Sequence, residues 1–383
     1  MNITGIAHGK GKFVAVGNEG KMAYSTDGIN WTAVSDSTFG NTYFDGIHVI
    51  AYGGGRFVAT GGYNDCRMAY STNGETWTAV SGSTFGWGDS INALVYGNNK
   101  FVAVGDNGKI MYSTNGTTWN AVADSKFGRS DIKAITYGGG KFIAGGDDGK
   151  MAHSSNGTSW TAIADSKFRL GINAIAYGSN RFVAAGALSN IAYSTDGVNW
   201  TAGADGIFGY ESMAAIAYGN NRFVVVGGRG QMAYSTDGLT WTEVLDKPFG
   251  TSREDFIMAI AWGNNKFVAV GTDGRIAYSG ENTQPTAQSS RLQQGQITIV
   301  NNTGYTIWNV YISQVASDSW GSDHLSNNQT IGNEQSIVLN LPTPVAERYD
   351  IMLIDSDGDT YSKMNVNVSV NNRIVFAFDD FDY

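Results

Sequence analysis

An all-β chain of seven repeated units followed by a smaller β module is what these 383 residues predict, on three observations. The first is self-similarity: Lys12-Phe13 recurs as Arg56-Phe57, Lys100-Phe101, Lys141-Phe142, Arg181-Phe182, Arg222-Phe223 and Lys266-Phe267, with Phe-to-Phe spacings of 44, 44, 41, 40, 41 and 44 residues. The second is that each unit carries four short runs of β-type residues between turn signals, of the form Ile-x-Ala-Ile-Ala-Tyr-Gly, Lys-Phe-Val-Ala-Val-Gly, Lys-Met-Ala-Tyr-Ser and Trp-Thr-Ala-Val. The third is composition: 51 Gly, 4 Pro and only 15% charged residues exclude collagen, Pro-rich low complexity and a disordered chain. Seven four-stranded units predict a seven-bladed β-propeller, whose radial closure leaves only short sheet edges. An open solenoid or β-helix would need shorter rungs and distinct caps.

Within a unit, runs such as Phe13–Val16 and Phe223–Val226 are apolar at every position, so these strands are expected to be covered on both faces. Small Ala alternating with Phe, Tyr and Ile suits sheets stacked face to face. The next hairpin reads Ser25-Thr26-Asp27-Gly28-Ile29-Asn30-Trp31 and recurs at 71–77, 113–119, 154–160, 194–200 and 235–241, with Asn73, Asn115 and Asn156 in place of Asp. An Asp or Asn side chain can bond its own turn backbone, Gly accepts positive φ, and Trp can anchor the hairpin to the blade. The motif resembles the Asp-box (BNR) repeat of sialidase-like and photosystem-assembly-factor-like propellers, with one residue fewer between Asp and Trp. That resemblance spans residues 1–280 and implies that the boxes are turn devices away from any catalytic face. Asp27, Asp196, Asp237 and the six Trp are accordingly read as structural. So are His8 and His153, which fill positions otherwise held by Tyr or Trp, and Cys66, in an enlarged turn.

The seventh unit departs from the pattern. After Ile276–Ser279 comes Gly280-Glu-Asn-Thr-Gln-Pro285, with no Trp. Either Thr283–Ser290 forms an atypical outer strand, closure rests on packing alone, or the natural chain begins earlier. The expected organisation is a propeller over 1–282, a polar linker over 283–295 and a small antiparallel β-sandwich over 296–383, with six strand candidates. The last module holds 11 acidic and 3 basic residues, so the overall charge of −9 resolves into a near-neutral propeller and an acidic module. Its runs Val300–Ile307 and Ser317–Gly321 resemble small uncharacterised modules of bacterial exported proteins. Asp355-Ser-Asp357-Gly358-Asp359 has the carboxylate density of a calcium loop but lacks the rest of an EF-hand, so an Asp-Gly turn is the simpler reading.

The acidic balance argues against nucleic acid as a partner, and no apolar stretch is long enough to span a membrane as a helix. One cysteine and four scattered histidines make neither a disulfide nor a zinc site, and no cofactor motif is present. No signal peptide is visible before the first strand. Low Lys with abundant Asn, Thr, Gly and Trp fits a secreted or cell-surface protein whose targeting segment has been removed. The oligomeric state has no signal in the sequence.

Chemistry is expected where the repeats differ. The strands barely vary, whereas the connectors from each outer strand to the next inner strand do. They present Tyr43 and Asp45, Trp87 and Asp89, Arg129 and Asp131, Arg169, Tyr210 and Glu211, and Arg253 on one rim. Aromatics beside planar polar groups suit a protein interface or a sugar face. A non-catalytic binding or scaffold propeller is the leading expectation, with a carbohydrate-binding, lectin-like propeller as the alternative. A sialidase-like hydrolase would need an Arg cluster, a carboxylate and a Tyr-Glu pair, which Arg129, Arg169, Arg253, Asp131, Tyr210 and Glu211 could supply only if the fold assembles them.

Overall fold

The computed structural model describes residues 2–42, 45–62, 66–81, 89–203, 206–279, 296–315, 320, 322–325, 329–333, 335–341, 348–367, 373–377 and 380–381. The chain divides into two compact units, Met1–Glu281 and Asn282–Tyr383. The expected linker 283–295, and with it the suggested outer strand Thr283–Ser290, lie outside the described residues.

Among the described residues the first unit holds seven antiparallel sheets in chain order. Blade one runs Ile3–Gly9, Lys12–Gly17, Met22–Ser25 and Thr32–Ala33, each strand paired with the next. Blades two to six repeat this order. Blade seven shows three strands, Ile257–Gly263, Lys266–Gly271 and Ile276–Tyr278. Each inner strand packs against the next, and Ile3–Gly9 packs against Ile257–Gly263, which closes the ring.

The unbroken apolar second strands now have a physical reason. Phe13, Val14, Ala15 and Val16 are at most 3% exposed because alternate residues face opposite neighbours. Phe13 and Ala15 pack with Val268 and Val270 of blade seven, and Val14 and Val16 with Phe57 and Ala59 of blade two. Two-sided cover removes the alternation that a half-buried strand would show.

A second contact runs around the inner ring. Each inner strand ends in Gly, and a Cβ there would fall within the aromatic ring of the next blade: Gly9 against Tyr52, Gly53 against Tyr96, Gly97 against Tyr137, Gly138 against Tyr177, Gly178 against Tyr218 and Gly219 against Trp262. Gly263 meets His8, so the histidine completes the series at the junction of blades seven and one. Each of these rings also packs on the Phe of its own second strand, as Tyr52 does on Phe57 at 4.7 Å between centroids.

The repeated hairpin is held locally. Ser25 Oγ accepts from the Gly28 N–H at 2.8 Å, and Asp27 Oδ1 accepts from the Ile29 and Asn30 N–H groups, each at 2.8 Å. Gly28 has φ +75, and its Cα faces Val268 of the preceding blade. Asn73 makes the equivalent bonds to Glu75 and Thr76 at 2.9 and 3.0 Å, so a neutral amide does the same geometric work. The following Trp is packed among the second-strand side chains of the preceding blade, as Trp77 is against Val14 and Val16.

The second unit has two three-stranded sheets around one core that includes Ile297, Ile299, Phe376, Val310, Ile351 and Tyr361. In one sheet Ser336–Asn340 and Arg373–Ala377 flank Gln296–Asn302, and in the other Arg348–Asp355 lies between Ile307–Gln314 and Thr360–Asn367. One pair departs from the antiparallel expectation: Gln296–Asn302 runs parallel to Arg373–Ala377. The chain crosses between sheets after Asn367, so no hairpin dictates the direction of the last strand. Asp355 is buried. Its Oδ1 accepts from the Asp357 and Asp359 N–H groups at 2.9 and 3.0 Å and its Oδ2 from the Tyr361 hydroxyl at 3.2 Å, the bonding of a turn.

Two measurements test this account. Gly178→Ala should lower stability by about 3 kcal/mol in urea denaturation, because the methyl has nowhere to go except into the Tyr218 ring. The Asp27 and Asp196 carboxyls are held well below the usual range, chiefly by the backbone N–H of Asn30 and of Asn199, and Asp237 is held at about 2, chiefly by the Leu239 N–H. A folded value below the unfolded one gives stabilisation that is complete above about pH 4 and lost as the pH falls through the folded value. The combined variant Asp27→Asn, Asp196→Asn, Asp237→Asn should fold and should lose less stability than the parent between about pH 4 and pH 2 in thermal unfolding.

Candidate functional site

The rim that carries the connectors is built from turns and bulges that repeat. The turns Asn18–Gly20, Asp106–Gly108, Asp147–Gly149, Ala187–Ser189, Gly228–Gly230 and Thr272–Gly274 join second to third strands. Their first N–H groups donate to the carbonyls of Asn2, Ser90, Asp131, Gly171, Ser212 and Phe256, just before the inner strands, at 2.9–3.2 Å. Connectors and turns are thereby tied into one surface. Their middle residues, including Asn107, Asp148, Leu188 and Arg229, are left-handed at φ 53 to 58 without being glycine.

After the first residue of each inner strand the register shifts, leaving Thr4, His48, Asn92, Lys133, Asn173, Ala214 and Met258 as bulged residues. Several clamp neighbouring blades. The Thr4 hydroxyl donates to the Ile47 carbonyl at 2.5 Å, Asn92 Nδ2 to the Ile132 carbonyl at 3.2 Å and Asn173 Nδ2 to the Met213 carbonyl at 2.9 Å. The connector comparison does not reveal these residues. Their signal is the variable second position of the Ile-x-Ala-Ile run.

Among the connector residues, the structure brings Arg129, Asp131 and Arg169 together over blade four. With Ser130, Asp147, Asp148, Leu170 and Gly171 they line an open cavity of about 410 Å³. The carboxylates are engaged: Asp131 Oδ1 accepts from the Asn107 N–H at 2.9 Å, Asp148 Oδ2 from the Ser130 hydroxyl at 3.0 Å, and Asp147 Oδ1 pairs with Lys133 Nζ at 2.5 Å. Arg129 and Arg169 are exposed, and neither guanidinium has a hydrogen bond or ion pair among the described residues.

Asp45 and Asp89 have a different place. Both are buried. Asp45 Oδ1 pairs with Arg67 Nη1 at 2.7 Å, and its Oδ2 accepts from the Thr42 hydroxyl and N–H at 2.6 and 2.8 Å. Those bonds, the Thr42 hydroxyl first, hold its carboxyl below the usual range. Arg67 also donates to the Phe39 carbonyl. Asp89 pairs with Lys109, and Asp255 with Arg275 at 2.5 Å, so the arrangement recurs. A carboxylate before the inner strand and a cation at the start of the third strand clip each of these connectors down, and the side chains expected to meet a ligand here hold the loop instead. Tyr210 is 90% exposed on the fifth connector, beside Glu211, which pairs with Arg229 at 2.6 Å. Arg253 is exposed on the sixth connector, and none of these three lines the cavity over blade four. The three arginines of the hydrolase reading are therefore not gathered at one cavity. Tyr43 and Trp87 lie outside the described residues.

Comparison with known proteins agrees with this architecture. Residues 36–168 match the DUF6242 beta propeller domain. The matched stretch includes the connector that carries Arg129 and Asp131. A search of curated proteins found no match. Among solved structures, YCF48 bound to D1 peptide is similar at 16% identity and TM-score 0.58, covering 72% of this chain and 91% of that one. Virginiamycin B lyase from Staphylococcus aureus is similar at 12% identity and TM-score 0.60, over 72% and 96% of the two chains. The WD40 beta propeller domain of Doa1 is similar at 13% identity and TM-score 0.56, over 74% and 94%. At these identities the likeness establishes the β-propeller fold.

The clips can be tested separately from any ligand. Arg67→Ala and Arg275→Ala should each leave the sheets intact while raising amide exchange at Thr42 and at Ser252 respectively by about tenfold, since each carboxylate loses the cation that fixes it.

Proposed function

We propose that the chain is a non-catalytic binding propeller whose connector-side rim takes an acidic segment of a partner protein in the groove over blade four. The observation that carries this reading is the asymmetry of that groove. Each of its carboxylates accepts an internal bond, Asp147 from Lys133, while Arg129 and Arg169 are exposed with no hydrogen bond or ion pair among the described residues. Such forks pair bidentately with carboxylates, at about 1.5–3 kcal/mol for each charge-assisted bond formed. The groove is shallow and polar, which suits a peptide segment better than an enclosed small molecule.

The same reading takes the Ser-Thr-Asp/Asn-Gly hairpins as Asp-box (BNR) repeats serving the scaffold. It takes residues 1–282 as the binding body and 296–383 as a separate acidic module. Two fold neighbours, YCF48 bound to D1 peptide and a WD40 domain, lend support by analogy. The likeness to a lyase carries no activity to this chain, because the fold alone is shared.

An array of short acidic, neutral and basic peptides, read alongside a glycan array, tests the proposal. Acidic peptides should be retained, with affinity falling as salt rises, and the double variant Arg129→Glu, Arg169→Glu should lose at least about tenfold. Retention of glycans without acidic peptides, or equal retention by the double variant, would overturn it.

A further inference from the structure

The seventh blade differs from the other six in three ways that share one cause. Beyond its third strand, Ile276–Tyr278, no fourth strand is paired among the described residues. In blades one to six the hairpin Trp is packed against the preceding blade, as Trp160 is on Val102 and Ile110. Between blades six and seven that place is a cavity of about 350 Å³, lined by Arg222, Val224, Tyr234, Phe267, Ala277 and Tyr278. Val224 is accordingly 9% exposed where Val14, Val58, Val102, Ile143 and Val183 are at 0%, and Phe267 is 7% exposed where Phe13, Phe57, Phe142 and Phe223 are at 0%.

On the other side of blade seven, no connector Phe is packed among the described residues. Phe39, Phe127, Phe208 and Phe249 are buried between their neighbouring blades. Between blades seven and one lies a cavity of about 660 Å³, lined by Ile3, Ala15, Ala23 and Ile276 among others.

The repeats specify what would satisfy all three. In every complete unit Trp is followed eight residues later by Phe: Trp31 and Phe39, Trp77 and Phe85, Trp119 and Phe127, Trp160 and Phe168, Trp200 and Phe208, Trp241 and Phe249. Counting on from Ser279 at the same spacing gives Pro285 and Gln293, neither of which can fill an aromatic cavity. We propose that the outer edge of blade seven is an acceptor for an extended segment of a partner protein bearing Trp, with Phe eight residues later. The segment would add a fourth strand to Ile276–Tyr278 and place one aromatic in each flanking cavity. Backbone pairing then supplies affinity and the two aromatics supply selectivity.

The test adds to the full chain a synthetic peptide with the sequence of residues 235–250, the outer strand of blade six with its Trp and Phe. Titration calorimetry should show saturable one-to-one binding. The peptide variants Trp241→Ala and Phe249→Ala should each weaken it at least about tenfold. In the protein, Ala277→Trp should weaken it likewise by filling the cavity between blades six and seven. The peptide variants decide the matter even if that protein variant does not fold. No binding up to about 1 mM peptide, as would follow if the chain occupies this edge itself, or equal binding by all three peptides, would overturn the proposal.

Discussion

The contact on which the propeller depends is the one between the last glycine of each inner strand and the aromatic ring of the next blade. It requires two residue types at fixed positions, a Gly with no Cβ and a flat ring one residue before the corresponding Gly. Because each aromatic is also packed on the Phe of its own second strand, the inner rim and the inter-blade core are one continuous structure. The same contact explains how the ring closes. Blade seven reaches blade one through Gly263 against His8 and through Val268 and Val270 against Phe13 and Ala15. His8 serves here as the flat ring of its unit. Burial holds its pKa below the usual histidine value against the opposing effect of its bond to Asn264, which favours the neutral ring that packing requires.

Repetition made most of this legible. A residue that recurs in each unit at the same offset reports a blade contact, so the strands, the hairpin with its Trp and the structural role of His8 could be read from spacing. What resisted reading was the difference between a varying residue that faces solvent and one that is taken up locally. Asp45 and Asp131 occupy equivalent connectors and look alike in sequence. The first is buried under Arg67, while the second lies at the edge of an open groove. The cation that decides the matter sits about twenty residues away at the start of a third strand, and its position holds Arg, Lys, Asn or Gln from blade to blade. The bulged residues were obscured for a related reason, since strand patterning assumes an unbroken period of two and a bulge resets it.

Charge counting shows the same limit from another side. The first 295 residues are almost neutral in sum, and that sum conceals how the charges are spent. A carboxylate that accepts backbone hydrogen bonds keeps its charge but has fewer lone pairs open to a ligand, as Asp27 and Asp196 do, and one paired with a cation is offset, as Asp45, Asp147 and Asp255 are. A guanidinium with no partner presents its full charge. Over blade four the two meet: Asp131 and Asp148 accept from neutral donors and Asp147 pairs with Lys133, beside two guanidiniums with no hydrogen bond or ion pair among the described residues. The scaffold thereby keeps its turns, which need carboxylates, and still leaves two guanidiniums open on its rim.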